Sequence, residues 1–140
     1  MSKIKVFLGG YINYTNAQNL NCRAVAEYLD KDKFEVLALT THFGRSESFE
    51  ANTFKCLKPF SFSKHLGFLW GMLNSDVAYF PKHVDTPLWV LKLAKLLKKP
   101  VFTTIEGNVT DLSKPNLIAL FGSENNMKNH FSYFKQVFGI

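Results

Sequence analysis

Residues Lys3–Leu29, KIKVFLGGYINYTNAQNLNCRAVAEYL, predict a strand, a glycine-containing loop and a helix that together open an α/β domain. Apolar and other side chains alternate at the start of this stretch, as in a β-strand, and the helix begins near Ala17. Gly9 and Gly10 lie between the two elements and allow backbone conformations that other residues rarely adopt. Asn16 is suited to cap the helix, so free N–H groups could bind an anion beside the glycines. A sharp turn without a ligand would explain the same glycines.

The rest of the chain continues this alternation. Further strands are predicted at 34–39, 53–57, 76–80, 101–105 and 116–121, and further helices from 61 or 63 to about 74, from 88 to 97 and from 123 to about 137. Strands separated by helices indicate βαβ units, whose right-handed connections give a mostly parallel sheet covered on both faces. The sequence therefore predicts one Rossmann-like α/β domain over residues 1–140, with an open sheet of about six strands.

The positive charge is concentrated in the middle of the chain. The formal net charge is +6, and the segment from Lys55 to Lys99 contains eight lysines against two aspartates. Such a surface can attract an anionic membrane, a phosphorylated substrate or nucleic acid. No apolar run approaches the roughly 18–20 residues that a membrane span needs, and the N-terminus lacks the apolar centre of a signal peptide. We predict a cytoplasmic protein, with a peripheral position at the inner face of the membrane as one option.

The helix from about 62 to 74 carries more apolar surface than one contact with a sheet requires. Its predicted buried stripe is Phe62, Leu66, Leu69 and Leu73; the side chains that widen the apolar arc are His65, Phe68, Trp70 and Met72; and the residues left on the far side are Lys64, Gly67 and Gly71. The excess can be buried within this domain, or it can meet a loop, a partner domain or the membrane surface.

The two cysteines indicate neither a metal site nor a disulfide framework. Cys22 and Cys56 are far apart and have no histidine at zinc-ligand spacing. Cys22 shares a helical stripe with Val25, Ala26 and Leu29, which predicts that it packs in the core.

Glycines and polar side chains follow several of the predicted strands. In an open parallel sheet, ligands bind outside the carboxyl ends of the strands, so these residues should open on one edge. Glu106 is the main candidate for catalysis, because a carboxylate between an apolar strand and a glycine can act as a base toward a hydroxyl or accept a hydrogen bond from a sugar. Capping of a turn is the alternative role for Glu106. Ser123 is placed to cap the last helix.

Several common nucleotide and catalytic motifs are absent from the sequence. Gly9-Gly10 is not followed by the third glycine of a dinucleotide-binding loop, and there is no Walker A sequence and no G-x-S-x-G elbow. The acidic pair and the phosphorylatable aspartate of a two-component receiver domain are also missing. No complete catalytic constellation can be read from spacing.

Four features of the sequence carry a resemblance to a known family. They are the Gly9-Gly10 pair after the first strand, the segment 76–101 with its helix, Lys99-Pro100 stop and strand, the sequence Thr103-Thr104-Ile105-Glu106-Gly107, and the late Gly122-Ser123-Glu124. In these features the chain resembles the N-terminal half of the GT-B glycosyltransferases, especially family 4 of that class. The likeness extends over nearly the whole chain.

The resemblance implies an enzyme of two Rossmann-like domains, of which the N-terminal one chiefly holds the acceptor and the C-terminal one the nucleotide-sugar donor. It implies that Glu106 lines the sugar or acceptor pocket and that Gly9 and Gly10 approach the donor diphosphate. The full set expected to bind the donor diphosphate or the acceptor is Gly9, Gly10, Asn16, His42, Lys82, His83, Gly107, Asn108 and Ser123. No metal and no cofactor are expected, since the nucleotide sugar is a substrate.

The chain departs from the family pattern in three ways. Many members have a histidine at the position of Glu106, and the interval from Glu106 to Ser123 is short, with Lys114-Pro115 where a further helix often lies. No donor domain follows Ile140, so the resemblance implies the N-terminal domain of a longer enzyme that is inactive alone. Its acceptor would be a cell-envelope glycan or a lipid-linked molecule, met at an anionic membrane.

Two other functions remain open from the sequence. A stand-alone α/β module could bind a nucleotide or another phosphorylated ligand without turnover. A nucleic-acid-binding domain is disfavoured, because the lysines are not interleaved with aromatic residues as on a base-stacking surface.

Overall fold

A computed structural model describes residues 3–13, 17–41, 51–57, 62–81, 86–105, 132–133 and 136–139. The elements in chain order are β1 (Ile4–Tyr11), α1 (Ala17–Tyr28), β2 (Phe34–Thr41), β3 (Asn52–Cys56), α2 (Phe62–Asn74), β4 (Val77–Phe80), α3 (Leu88–Leu96), β5 (Val101–Ile105) and β6 (Gln136–Gly139). Up to β5 these are the strands and helices that the sequence predicts, with shifts of a few residues at their ends.

The strands form an open, all-parallel sheet. Five strands come from the continuous alternation β1 to β5, and the short β6 adds to the edge beside β5, giving the order β3-β2-β1-β4-β5-β6. The order reverses between β1 and β4, which is the arrangement of a doubly wound, Rossmann-type sheet. The predicted fold class is therefore confirmed.

Two apolar clusters cover the two faces of the sheet, because alternate residues of each strand point to opposite sides. On one face Val6 and Leu8 of β1 pack with Cys22 and Ala26 of α1. On the other face Phe7 packs with the buried side chains of α2 and α3, among them Phe68, Met72, Val90, Leu91 and Ala94. The predicted core position of Cys22 is confirmed, and Val25 and Leu29 of the same stripe are partly buried against this cluster.

The C-terminal part of the chain differs from the prediction. The helix expected to reach about residue 137 is wrong at its end, because Gln136–Gly139 forms β6 and pairs with Phe102–Ile105 of β5. The edge of β5 offers unpaired backbone groups, and a short apolar segment satisfies them better as a strand than as the last turn of a helix. The predicted strand at 116–121 lies outside the described residues.

The Gly9-Gly10 pair lies inside β1, not in a turn after it. Leu8 pairs with Ala38 and Tyr11 with Leu39, so the two glycines form a bulge where the register shifts. A Cβ atom at Gly9 would lie 2.2 Å from Cδ1 of Phe80. Glycine is needed here because the Phe80 ring occupies the space of a side chain.

Helix α2 buries the opposite face from the one that the sequence predicts. Its buried residues are Gly67, Phe68, Gly71 and Met72, whereas the predicted buried stripe of Phe62, Leu66, Leu69 and Leu73 is exposed. The two glycines lie four residues apart and so on one face of the helix. A Cβ atom at Gly71 would lie 2.3 Å from the Phe7 ring, and one at Gly67 would lie 2.8 Å from Cδ2 of Leu39. The glycines thus bring α2 down onto large side chains of the sheet.

Candidate functional site

The ends of β1 and β2 are joined by a buried side-chain clamp. Asn13 Nδ2 donates to the carbonyl oxygen of Thr41 over 2.7 Å, and the Thr41 N–H donates to Asn13 Oδ1 over 3.0 Å. Both residues are buried. Ile12 adds a backbone bond to Leu39 of 3.0 Å. These bonds therefore fix the ends of β1 and β2 relative to each other at the carboxyl edge of the sheet.

Helix α1 also holds the chain just after the end of β1. Arg23 Nε donates to the carbonyl oxygen of Ile12 over 3.2 Å. Because this bond is made by a side chain of the first helix, it ties the end of β1 to the element that follows it. Neither Asn13 nor Arg23 was expected to act here; an asparagine just after a strand is the kind of signal that could have indicated the clamp, since its amide can replace backbone partners.

A group of three ionisable side chains lies where β1, β3 and α2 meet. Tyr11 and Cys56 are buried, and Lys64 Nζ lies 5.9 Å from the centroid of the Tyr11 ring. Burial raises the pKa of Tyr11, and the Cys56 thiol adds to this effect. Burial also raises the pKa of Cys56, although the nearby Tyr11 hydroxyl and the charge of Lys64 act in the opposite direction. The group therefore presents two neutral side chains and one cation.

The start of α2 is fixed to the end of β3. The Leu57 N–H donates to Ser63 Oγ over 3.0 Å, and Cys56 Sγ lies 3.9 Å from the carbonyl oxygen of Ser63. The sequence predicts Ser61 or Ser63 as the cap of this helix. In the structure Ser63 is the second residue of α2, and its hydroxyl accepts from the chain that precedes the helix. Lys64 is held near the carboxyl edge as a result.

An aromatic pair joins the first turns of α2 and α3. Trp89 Nε1 donates to His65 Nδ1 over 3.1 Å, and the two ring centroids are 5.9 Å apart. An accepting Nδ1 carries no proton, so the proton of the neutral imidazole is on Nε2. Both side chains are exposed. They form a polar and aromatic surface next to the edge where the strands end.

The end of β5 is fixed to the end of β4. Thr103 Oγ1 donates to the carbonyl oxygen of Phe80 over 2.6 Å, and Thr103 is fully buried. β5 ends at Ile105, the residue before Glu106. The strand that leads to the proposed catalytic residue is thereby held in register with its neighbour.

Of the residues predicted to form the site, Gly9 and Gly10 are within the described part of the chain, as parts of β1. The other predicted site residues lie outside the described residues: Asn16, His42, Lys82, His83, Glu106, Gly107, Asn108 and Ser123. The strands that precede several of them end at Tyr11, Thr41, Phe80 and Ile105. Because the strands are parallel, these ends lie on one edge of the sheet, and the roles of the residues beyond them stay predictions.

Within the described ranges, no three side chains of histidine, cysteine, aspartate or glutamate come together as a metal site would require. No helix among these residues is long and apolar enough to cross a bilayer.

No model of a known protein family matches the sequence, and no curated protein is similar to it.

The Asn13 clamp gives a first testable prediction. Asn13→Asp should lower the free energy of unfolding by about 1–3 kcal/mol or more at neutral pH, because an ionised carboxylate cannot donate to the Thr41 carbonyl. Burial should raise the pKa of this aspartate in the folded protein above its unfolded value of about 4. The loss should therefore be smallest below about pH 4, where the acid is protonated and can donate, and it should grow as the pH rises from there through the folded-state pKa. Urea unfolding at several pH values measures this.

The matched control is Asn13→Ala, which removes the same bonds without adding a titratable group. Its loss of stability relative to the wild type should not depend on pH. Equal pH profiles for the two variants would show that the Asn13 amide is not held against the Thr41 backbone.

Proposed function

We propose that this chain is the N-terminal, acceptor-side domain of a glycosyltransferase. The enzyme would transfer a sugar from a nucleotide-sugar donor to a cell-envelope glycan or a lipid-linked acceptor. The observation that carries the proposal is the position of β5 in the sheet. The strand order reverses between β1 and β4; β2 lies on one side of this reversal and β5 lies on the other, beside β4. Glu106 is the next residue after β5. In open α/β sheets the crevice at such a reversal is where ligands bind.

Glu106 is the proposed base. As a carboxylate it would take the proton of the acceptor hydroxyl while that oxygen attacks the anomeric carbon of the donor and the nucleoside diphosphate leaves. The hydrogen bond from Thr103 to the carbonyl oxygen of Phe80 supports this role, because it fixes β5, the strand that directly precedes Glu106. A donor domain, brought by the longer enzyme, would hold the nucleotide across the crevice.

The glycines of β1 take different roles in this proposal. The Phe80 ring already explains why residue 9 is glycine. We therefore assign the approach to the donor diphosphate to Gly10 and to the turn after it, which the Asn13 clamp and Arg23 hold in place.

We also propose a cytoplasmic location, with the acceptor met at the inner face of a membrane.

Titration of nucleotide sugars by calorimetry tests the proposal. The 140-residue chain and the full-length gene product are compared with the same set of donors. We expect the full-length protein to bind a nucleotide sugar at micromolar to millimolar concentration, and the 140-residue chain to bind it far more weakly. Tight nucleotide binding by the 140-residue chain alone would contradict the proposal and favour a stand-alone phosphoryl-ligand module.

A further inference from the structure

Helix α2 is apolar on nearly all sides. Its sequence, FSKHLGFLWGMLN, contains one lysine, one histidine and no acidic residue. A helix of this kind is normally buried all round. Here one side lies on the sheet through Gly67 and Gly71, and the opposite side is left with exposed apolar side chains. Phe62 is 76 % exposed and Leu73 is 57 % exposed.

Helix α3 lies beside α2 and extends this apolar surface. The two helices touch near their starts through His65 and Trp89, and near their ends Lys99 Nζ donates to the carbonyl oxygen of Met72. They therefore run side by side in the same direction. Trp89 and Leu96, seven residues apart, share one side of α3, and Leu96 is 77 % exposed.

We define the outer helix face as six exposed apolar side chains, four on α2 and two on α3, together with one lysine. These are Phe62, Leu66, Leu69, Leu73, Trp89, Lys92 and Leu96. Lys92 belongs to it because it lies four residues from Leu96, one helical turn away. The face combines leucine and aromatic side chains with positive charge.

The charges of this face indicate what can cover it. Neither helix contains an aspartate or a glutamate, and exposed lysines stand on and around the face at Lys92, Lys95 and Lys98. A second copy of the chain would bring these lysines against each other at a cost in free energy. An anionic lipid surface satisfies both parts of the face, because apolar side chains enter the boundary of the acyl chains while lysines meet the head groups.

We propose that the outer helix face docks this domain onto the surface of an anionic lipid bilayer. The helices lie in the plane of the interface and do not enter its core. Trp89 suits this position, since tryptophan is enriched at the boundary between membrane and water. The inference rests on the proposed function for its purpose, which is to bring the site to a lipid-linked acceptor, but the binding itself can be measured without any sugar.

Vesicle flotation tests the docking. The probe is vesicles of phosphatidylcholine and phosphatidylglycerol in equal parts, compared with phosphatidylcholine alone. We expect binding to the anionic vesicles only, and a fall in the partition coefficient of about tenfold or more for the double variant Phe62→Ser with Leu73→Ser. The control is Tyr28→Ser, at a residue 84 % exposed on α1, which covers the other face of the sheet, and it should bind as the wild type does.

The contribution of charge is tested with two equal charge changes. Lys92→Glu should reduce binding to anionic vesicles about tenfold, whereas Lys33→Glu, at an exposed lysine before β2, should change it less than about twofold. Circular dichroism confirms that each variant is folded. No binding of the wild type above the phosphatidylcholine control, or equal losses for Lys92→Glu and Lys33→Glu, would overturn the inference.

Tryptophan fluorescence gives a second measurement that does not depend on weakened variants. The chain has two tryptophans, of which Trp89 is on the outer helix face and Trp70 packs against Phe54. Vesicles with brominated acyl chains should quench Trp89, so Trp70→Phe retains the quenching and Trp89→Phe loses it. The reverse result would overturn the inference, as would a double serine variant that changes the oligomeric state in light scattering but binds vesicles normally.

Failure of docking can be told apart from failure of the proposed function. Sugar transfer is assayed with the acceptor dissolved in detergent, where no bilayer is needed. Transfer without vesicle binding overturns only the docking. Vesicle binding without transfer to any acceptor from any nucleotide sugar overturns the proposed function and leaves the docking in place.

Discussion

Glu106→Gln in the full-length protein is expected to lower kcat for sugar transfer by about 10²-fold or more. The amide has nearly the shape of the carboxylate but cannot take the proton from the acceptor hydroxyl. The KM values for donor and acceptor should change little, because the hydrogen bonds of the ground state can still form. Initial rates with a labelled nucleotide sugar measure both quantities.

The control for this variant is Glu27→Gln, at an exposed glutamate of α1. It makes the same chemical change away from the carboxyl edge, so kcat should stay within about twofold of the wild type. If Glu106→Gln keeps the wild-type kcat, Glu106 is not the base. If it raises KM and leaves kcat unchanged, Glu106 binds a substrate hydroxyl but does not take its proton.

Gly71→Ala is expected to lower the free energy of unfolding by about 1–3 kcal/mol. Alanine stabilises a helix by about 1 kcal/mol relative to glycine. The clash of the new side chain must therefore cost more than this gain for the variant to be less stable. It does so because the new Cβ atom would lie 2.3 Å from the Phe7 ring. Phe7 cannot turn away, since its ring makes edge contacts with Phe68, Trp70 and Phe80 at centroid distances of 6.1, 6.4 and 6.2 Å.

Urea unfolding measures this loss against Leu73→Ala, a change on the outer side of the same helix. The control should alter stability by no more than about 0.5 kcal/mol, because Leu73 is exposed. Combining Gly71→Ala with Phe7→Leu should recover part of the loss, so that the two changes are not additive. A Gly71→Ala variant as stable as the wild type would contradict the packing of α2 through its glycines.

The order of strands and helices up to β5 could be predicted from the sequence because it depends on local patterns. Runs such as Phe34–Leu39 and Val101–Ile105 are apolar and bounded by turn residues, and the parallel sheet follows from helices between them. The orientation of α2 could not be predicted in this way. Hydrophobicity favours burial of Phe62 and Leu66, whereas the fit of Gly67 and Gly71 against Leu39 and other sheet residues appears only in three dimensions.

The carboxyl edge of the sheet, where the candidate site is proposed, could be predicted from the sequence, but the contacts that hold this edge together could not. Gly9 and Gly10 continue β1 as a bulge because β1 pairs onward through Tyr11, a long-range contact that the two glycines do not reveal. The Asn13 clamp joins residues 28 positions apart in the chain. β6 likewise forms because it can pair with the edge of β5, and the sequence of β6 alone does not indicate this partner.

The gene sequence downstream of the codon for Ile140 tests the central claim most directly. An acceptor-side domain needs a donor domain, so we predict an open reading frame that continues for about 100–200 residues into a second Rossmann-like domain. A stop codon directly after Ile140 would contradict the account, because this sheet would then have no partner to hold the nucleotide sugar.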